Sequence, residues 1–367
     1  MAGGILRCAV IGTGRVAQES HLPALKSLPG IEVAAVCDAD AASLGRAAAA
    51  FQVPKSYASW QQLLQEGRGL DFVIVATPGF THYEIVAAAL EAELHVISEK
   101  PVTLSLEQAE RLAALAEQRG RRVFVAQTYR YRPPAQRARA AMKENRLGRL
   151  LQVSVVHRSG DLFDPSEPRW YWDELSNKVL LYEYGIHLLD LAVWLAGPVR
   201  RVVSVRAERH PERNVTRHIL AEVELACGAL QSADLQLFAA SPCSYVELKG
   251  SDAAARLAFF PHHYREDRGP STPLRNMWEN VARVAGFGAE VAGGMLRRGV
   301  PRRAIPHLRF LESCVAVLRG QNAPTVSDLA SVMPTMQLLE QVGAQVYAGS
   351  KTEHPVATAQ GASAKRR

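Results

Sequence analysis

Long apolar runs and paired cysteines are both missing from this sequence of 367 residues. No stretch of about 18 uninterrupted apolar residues occurs, so the sequence predicts no transmembrane helix. The five cysteines form no CxxC pair and lack zinc-site spacing, and their odd number favours reduced thiols in a cytoplasm. We therefore expect a cytoplasmic protein without a metal centre.

A concentrated patch of charge is missing as well. Lys and Arg number 43 against 36 Asp and Glu, but no continuous basic run accompanies the net charge of +7. The sequence thus indicates no nucleic-acid partner, and its basic balance favours the attraction of anionic small molecules. Apolar residues make up 48% and charged residues 22%, which excludes an intrinsically disordered chain.

The N-terminal part of the chain alternates apolar runs with helical segments. Runs such as Arg7 to Ile11 and Phe72 to Ala76 are continuously apolar, which indicates strands covered by helices on both faces. This rhythm predicts a doubly wound parallel sheet in a first domain over residues 1–130. From about Leu150 the pattern becomes alternating, which predicts a mostly antiparallel sheet in a second domain over residues 131–348. Residues 349–367 are small, polar and basic, and we expect a disordered tail there.

A glycine-rich turn follows the first apolar run. Gly12-Thr13-Gly14-Arg15-Val16-Ala17 has the pattern GxGxxA. In such a pattern the first glycine permits a tight turn, the second lets the backbone approach a pyrophosphate, and the small alanine lets helix and strand pack closely. The alternative is a glycine turn that binds nothing, but the flanking strand and helix favour a dinucleotide site.

An acidic residue, Asp38, ends the second apolar run. Its carboxylate is placed to accept hydrogen bonds from the ribose hydroxyls of adenosine and to repel a 2′-phosphate. The next residue, Ala39, is no cation that could bind such a phosphate. The pair favours NAD over NADP. As an alternative, Asp38 caps the helix that begins near Ala41.

Four further stretches occur in a characteristic order: CAVIGTGRVA, VATPGFTHYEIVAAALEAELHVISEKP, VAQTYRYRP and YEYGIHLLDLAVWLAGPV. With them the sequence resembles the glucose–fructose oxidoreductase, inositol dehydrogenase and rhizopine catabolism family (GFO/IDH/MocA). The resemblance implies a Rossmann domain followed by an α/β domain with a large, mostly antiparallel sheet. It also implies a sugar or cyclitol dehydrogenase, and homodimers or homotetramers built through that sheet.

The same resemblance implies functional residues. Lys100 matches the active-site lysine of the family, and His187 matches its catalytic histidine. The chain departs from the family at Asn177-Lys178-Val179, where glycines are common, and at Glu183, where aspartate is common. From the glycine pattern and the resemblance together, we expect the cofactor to be held by Gly12, Thr13, Gly14, Arg15, Val16, Asp38, Thr77, Pro78, His82, Glu99, Lys100 and Gln127.

The residue types suit alcohol oxidation. An imidazole with an intrinsic pKa of about 6.5 exchanges protons in either direction, and His187 is the candidate. Glu183 and Asp190 share its face if residues 181–195 are helical, and Glu183 is then expected to hold the second imidazole nitrogen. Lys100 is expected to stabilise the alkoxide. Each of these side chains has a purely structural alternative, and for Asp190 this is a surface ion pair with an arginine.

Substrate contacts are the least determined part. The candidates are Tyr129, Arg130, Trp170 and Asp190, with aromatic rings suited to the apolar faces of sugars. For Tyr129, Arg130 and Arg132 packing at a domain hinge is the favoured alternative, and for Trp170 it is packing in a core. A segment from Arg275 to Arg309 carries seven arginines and is interpreted as a solvated face or, alternatively, an anion-binding patch.

The sequence as a whole therefore favours an NAD-dependent oxidoreductase that acts on a secondary alcohol or ketone of a sugar, sugar derivative or cyclitol. Two alternatives stay open. One is a redox-neutral enzyme that uses NAD transiently to cleave or epimerise a glycoside, and the other is a non-catalytic regulator that senses the dinucleotide.

Overall fold

The computed structural model of the protein describes residues 4–160, 178–213, 215–259, 262–267, 281, 301 and 304–347. Within these residues the chain forms two sheets that share covering helices. Trp170, the tail at 349–367 and most of the arginine-rich segment lie outside the described residues.

The first sheet has six strands, all parallel. They are β1 Leu6–Ile11, β2 Ile31–Cys37, β3 Lys55–Tyr57, β4 Phe72–Val75, β5 His95–Ser98 and β6 Val123–Val125. Their order is β3-β2-β1-β4-β5-β6, so the predicted doubly wound sheet is confirmed. All four residues of β4 are buried, as the continuous apolar runs require of a sheet covered on both faces.

Five helices follow the strands of this sheet: α1 Leu22–Ser27, α2 Ala41–Phe51, α3 Trp60–Glu66, α4 His82–Glu91 and α5 Leu106–Gln118. A wide turn with π-helical hydrogen bonds, Ala17–His21, leads into α1. The side chain of Asp40 caps α2 by accepting a hydrogen bond from Ala42 N. The alternative that Asp38 is this cap is therefore wrong, and its carboxylate is directed elsewhere.

The order of the strands reverses between β1 and β4, so the carboxyl ends of these two strands border a crevice. Gly12 closes β1 with a φ of +91°, a left-handed value that favours glycine. A Cβ at Gly12 would lie 2.5 Å from the backbone carbon and oxygen of Ala76, at the end of β4. Only glycine lets the two strand ends approach this closely.

The second sheet has seven strands. They are β7 Leu150–Arg158, β8 Val199–Arg209, β9 Thr216–Leu225, β10 Leu230–Gln236, β11 Cys243–Gly250, β12 Ala254–Phe259 and β13 His262–Asp267. The order is β13-β12-β11-β7-β10-β9-β8, antiparallel except between β7 and β10. The predicted mostly antiparallel sheet is confirmed.

A central helical segment covers one face of this sheet. Residues Val179–Gly185 form π-helical turns and Ile186–Ala196 form a regular helix, α7. The 18-residue window Val179–Ala196, with mean hydropathy 1.4, is long and apolar enough to cross a membrane, but 72% of it is buried inside the protein. Its apolar character is that of a core helix, since nearly every side chain of α7 packs inside.

Three further helices link the two sheets: α6 Pro133–Lys143, α8 Ile305–Leu318 and α9 Leu329–Val346. The apolar side of α8, including Phe310 and Cys314, joins the core beneath β1 and β2. Asp328, just before α9, forms a β-bridge with Phe124 of β6. The chain thus returns to the nucleotide-binding sheet after completing the second sheet.

A buried ion pair joins these elements. Arg130 lies in a single 3₁₀ turn, Thr128–Tyr131, and donates to both carboxylate oxygens of Asp190 in α7, at 2.6 and 2.8 Å. Both side chains are only 1% exposed. Thr335 of α9 donates to the same carboxylate at 3.0 Å. The expectation that Arg130 and Asp190 contact substrate is therefore corrected, because the two side chains form an ion pair with each other inside the core.

Removal of one partner of this pair should destabilise the protein strongly. We expect Asp190→Ala to lower the free energy of unfolding by about 3–5 kcal/mol, because it leaves the Arg130 charge buried and unpaired. Urea denaturation measures the loss. Arg111→Gln is the control, since its ion pair with Glu107 is exposed, and it should leave the midpoint unchanged. An Asp190→Ala midpoint equal to that of wild type would contradict the role assigned to the pair.

Candidate active site

The glycine turn leaves a cradle at the carboxyl end of β1. A Cβ added to Gly14 would meet no atom within 4 Å, so the backbone there is open to a close approach. Arg15 and Val16 begin the helical segment that follows, and Ala17 packs fully buried beneath it. Thr77 and Pro78 face the turn from the end of β4. This arrangement fits a dinucleotide pyrophosphate, as the pattern predicted.

Asp38 is tied to the glycine turn. Its Oδ2 accepts hydrogen bonds from Thr13 N at 2.7 Å and Thr13 Oγ1 at 3.0 Å, while its Oδ1 accepts one from Asp40 N at 2.9 Å. The side chain is half-buried at the end of β2, so a carboxylate edge remains near the turn. The predicted acid is therefore held rigidly beside the predicted pyrophosphate site.

Gln127 also fits a polar ligand at this edge of the sheet. It follows β6 at the carboxyl end of the sheet and is 2% exposed. Among the described residues its Oε1 has no hydrogen-bond partner although it is buried. A buried carbonyl oxygen without a donor is costly, and a bound polar ligand at this edge would satisfy it.

Glu99 is the centre of a cluster that the sequence did not reveal. Its Oε1 lies 2.7 Å from Nε2 of His21 and 3.4 Å from Nε2 of His307, which is carried by α8. Burial alone would raise the pKa of Glu99, but hydrogen bonds from the two imidazoles hold it well below its usual value. Glu99 is thus a buried carboxylate that fixes the segment before Lys100.

The three side chains also offer metal-ligand atoms within 4.8 Å of one another. A metal-bound imidazole ordinarily donates its second ring N–H to an acceptor. Nδ1 of His21 and Nδ1 of His307 are buried and have no hydrogen-bond partner in the part of the chain that the structure describes. The cluster therefore fits a hydrogen-bonded carboxylate better than a metal site.

His82 links two loops instead of lining a cavity. It is fully buried, with Nδ1 2.7 Å from Pro101 O and Nε2 2.8 Å from Thr77 O. Burial lowers the pKa of His82, which favours a neutral ring that donates to one carbonyl at a time. The side chain holds the loop after β4 against the Lys100–Pro101 segment.

Lys100 is paired with Glu183. Its Nζ lies 2.5 Å from Glu183 Oε2 and donates to Glu183 O at 3.2 Å. Burial alone would lower the pKa of Lys100, but the carboxylate outweighs it and the net pKa is raised. The prediction that Glu183 holds the His187 imidazole is therefore wrong. The π-helical turns at Val179–Gly185 remove the one-turn spacing that the prediction assumed.

His187 is the second residue of α7 and stacks on Tyr129. The two ring centroids are 4.6 Å apart with an interplanar angle of 17°. Burial, then the charges of Lys100 and Arg132, hold the pKa of His187 well below its usual value, so the ring is neutral at pH 7. Its Nδ1 is buried without a hydrogen-bond partner among the described residues. Among the described residues the ring is therefore oriented by stacking and not by a carboxylate.

Arg132 adds a cation on the same side. Its guanidinium lies 4.2 Å from the centre of the Tyr129 ring, and its Nη1 contacts Nε2 of His262. A cation–π contact contributes about 0.5–2 kcal/mol, whereas burying an ion costs several kcal/mol. Burial correspondingly lowers the pKa of Arg132. No carboxylate among the described residues lies within ion-pair distance of it.

His157 also lies near the same site. His157 of β7 is buried, with Nδ1 2.7 Å from Ser244 Oγ, and its charge would act on His187. Burial lowers the pKa of His157 to about 4. Sequence reasoning missed His21, His157 and His307, because each reaches the site through tertiary contacts. Of these three, only His21 could have been found from a local pattern, because it lies one helical turn beyond Ala17 of the glycine-rich turn.

Two family profiles match the chain. Residues 6–127 match the GFO/IDH/MocA oxidoreductase family with an NAD-binding Rossmann fold, and residues 135–256 match the GFO/IDH/MocA C-terminal domain. The two matched regions coincide with the parallel sheet and most of the antiparallel sheet.

Relatives with known names agree with this assignment. The chain is 31% identical over 196 residues to a D-apiose dehydrogenase from Paraburkholderia graminis, covering 53% of this chain and 51% of that protein, so it spans about half its length. It is 30% identical over 284 residues to inositol 2-dehydrogenase 1 from Paenarthrobacter aurescens, covering 74% and 77%. A levoglucosan dehydrogenase solved with NADH and levoglucosan shares the fold, with a TM-score of 0.74 over 94% and 97% of the chains at 17% identity. The chain belongs to the GFO/IDH/MocA family of NAD(P)-dependent oxidoreductases.

Proposed function

We propose that this protein is an NAD-dependent dehydrogenase that moves a hydride to or from a secondary carbon of a sugar, sugar derivative or cyclitol. The observation that carries the proposal is the convergence of Lys100 and His187, close enough for the ammonium to lower the imidazole pKa. The named relatives act on apiose, inositol and levoglucosan by their names, which supports the substrate class. Bound NAD would supply the hydride acceptor.

His187 is suited to the proton transfer. Because its pKa is held well below 6.5, the imidazole is neutral at pH 7 and accepts the hydroxyl proton during oxidation. In the reverse direction the same ring returns that proton to the alkoxide. Stacking on Tyr129 fixes the plane of the ring, so the accepting nitrogen keeps its direction.

Lys100 is suited to stabilise the developing alkoxide. Its raised pKa keeps the ammonium charged at neutral pH, and Glu183 fixes it through both its carboxylate and its backbone carbonyl. A preorganised cation in a dry site acts more strongly on developing charge than one in water. Glu183 is accordingly a positioning residue for Lys100.

The cofactor choice follows from Asp38. The carboxylate of Asp38 is fixed beside the glycine turn by Thr13. There it would accept hydrogen bonds from the ribose hydroxyls of NAD and repel the 2′-phosphate of NADP. Thr77 and Gln127 at the neighbouring strand ends complete the proposed cofactor-binding edge. NAD is therefore proposed over NADP.

A homodimer or homotetramer built through the second sheet is also proposed. The four consecutive strands β7, β10, β9 and β8 of that sheet each carry one large apolar side chain that is exposed. In this order they are Leu151, Leu230, Leu220 and Val203. Exposed apolar groups on one sheet favour contact with another copy of the chain.

The direct test of the proposed function is a screen of sugars, cyclitols and nucleotide sugars with NAD and NADP, followed by the absorbance of reduced cofactor. Stoichiometric NADH with an oxidised product supports a dehydrogenase. Product without net NADH would support the redox-neutral alternative. Cofactor binding with no conversion of any compound would support a dinucleotide-sensing regulator.

Loss of either catalytic side chain should slow turnover. We expect Lys100→Ala and His187→Ala each to lower kcat by about 10²–10⁴, because each removes a positioned charge or proton acceptor. NADH affinity, measured by fluorescence titration, should change little. Exposed Lys26→Ala is the charge-matched control. Near-full turnover by His187→Ala would exclude it as the base and direct attention to Tyr129.

The pH dependence separates the two contacts considered for Glu183. Since Glu183 raises the pKa of Lys100, Glu183→Gln should lower that pKa and move the alkaline limb of the kcat profile to lower pH. The acid limb, set by His187, should stay below pH 6.5 in both proteins. A shift of the acid limb alone would contradict the contact between Glu183 and Lys100 and support one between Glu183 and the His187 imidazole.

Cofactor preference should depend on one charge. We expect NAD to bind more tightly than NADP, and Asp38→Asn to narrow the difference by roughly tenfold, because Asn keeps an acceptor for Thr13 but repels no phosphate. Isothermal titration calorimetry measures both affinities. Asp40→Asn is the matched control, since it removes a nearby charge and still caps α2. Equal affinities of the wild type for NAD and NADP would contradict the assignment of NAD as the preferred cofactor.

A further inference from the structure

Two arginines lie two residues apart before α6, and the protein treats them differently. Arg130 donates two hydrogen bonds to Asp190, so its charge is fully compensated in the core. Arg132 has a buried Nε with no hydrogen-bond partner, and no carboxylate of the described residues pairs with it. Among the described residues, its one side-chain hydrogen-bond partner is His262, which Nη1 contacts.

The contacts that Arg132 does make leave its charge largely uncompensated. The Tyr129 ring and the His262 nitrogen are neutral partners and recover only part of the hydration that the guanidinium gives up. Burial is the largest cause that lowers the pKa values of His187, His262 and His307, and the positive charge of Arg132 lowers them further. A half-buried cation that lies close to three imidazoles and pairs with no acid among the described residues favours the arrival of an anion.

The position of Arg132 relates it to the reacting groups. His187 stacks on the Tyr129 ring and Arg132 lies over the same ring, so no more than one aromatic ring separates the imidazole from the guanidinium. Because Nη1 faces His262, the edge formed by Nε and Nη2 remains. This edge presents two parallel donors, which match two oxygens of one oxyanion.

We propose that Arg132 binds an anionic group of the substrate, a carboxylate or a phosphate, and that the enzyme therefore acts on a sugar acid or sugar phosphate in preference to a neutral sugar. This inference rests on the proposed dehydrogenase function and names its substrate class. The hydroxyl that reacts lies at His187 and Lys100, and the anionic group of the same molecule reaches Arg132. A planar, two-oxygen edge fits a carboxylate best.

The test uses three compounds that share one pyranose ring and differ at C6: D-glucose, D-glucuronate and D-glucose 6-phosphate. D-galactose and D-galacturonate repeat the comparison with one ring hydroxyl inverted. We measure kcat/KM with NAD for the wild type, Arg132→Met, Arg132→Lys and Arg111→Gln. Arg111→Gln removes one exposed arginine charge and controls for net charge.

We expect the wild type to prefer an anionic compound over its neutral counterpart. Arg132→Met should reduce this preference by about 10–100-fold, the usual worth of a lost charge-assisted bidentate contact. Arg132→Lys keeps the charge but not the two-donor edge, so it should retain part of the preference. Preference for glucuronate over the phosphate identifies a carboxylate, and the reverse order identifies a phosphate.

Stability separates binding from misfolding. A half-buried charge that pairs with no acid of the described residues costs stability, so Arg132→Met should melt at or above the wild-type temperature. If Arg132→Met unfolds instead, the preference for anionic compounds is compared between the wild type and Arg132→Lys only.

The outcomes distinguish the two proposals. Equal turnover of neutral and anionic compounds, or a preference that Arg132→Met leaves unchanged, overturns the anion site while the dehydrogenase stands. If no compound is oxidised, calorimetric titration of the NAD-loaded protein with glucuronate and glucose 6-phosphate decides. Binding that Arg132→Met abolishes supports the anion site even though none of these five compounds is then a substrate of the proposed dehydrogenase. Absence of binding, or binding independent of Arg132, overturns it.

Discussion

The bidentate ion pair between Arg130 and Asp190 fixes the distance between the two halves of the site. Arg130 belongs to the turn that follows the last strand of the nucleotide-binding sheet, and Asp190 belongs to the helix that covers the second sheet. Tyr129 precedes the arginine, and His187 lies one helical turn before the aspartate. The stacking of Tyr129 on His187 therefore depends on a contact that touches neither ring. Breaking such a buried pair exposes a charge to the core, so the geometry is strongly held.

Two carboxylates divide the charges of the site between them. Glu99 accepts hydrogen bonds from imidazoles and fixes the backbone before Lys100, while Glu183 fixes the ammonium of Lys100 itself. Neither carboxylate contacts His187, whose pKa is lowered by burial and by cations. The ammonium of Lys100 thus stays charged, while the neighbouring imidazole of His187 stays neutral. Separation of this kind is what a site needs to hold an alkoxide and to accept a proton at the same pH.

The parts that could be predicted from the sequence are those set by local constraints. The parallel sheet follows from continuous apolar runs, and the close approach at Gly12 follows from a glycine with positive φ between two strands. The partner of Glu183 could not be predicted, because π-helical turns replaced the regular helix on which the spacing argument relied. His307 reaches Glu99 from α8, near the other end of the chain, and no local pattern signals such a contact. Arg130 was expected at the substrate, since exposure and ion pairing cannot be read from composition.

The replaced glycine run before the active-site helix has a physical counterpart in the backbone. Lys178 adopts a φ of +45°, a left-handed conformation that costs most residues about 1–2 kcal/mol and glycine almost nothing. The ammonium of Lys178 lies 5.1 Å from the Tyr182 ring and 5.6 Å from the Tyr347 ring, and these contacts offset part of that cost. The π-helical turns begin directly after this residue and carry Glu183 toward Lys100. Glutamate has one methylene more than the aspartate common in the family, and its extra length accompanies the altered backbone that presents it. The left-handed Lys178 thus lies directly before the turns that present Glu183 to the ammonium of Lys100.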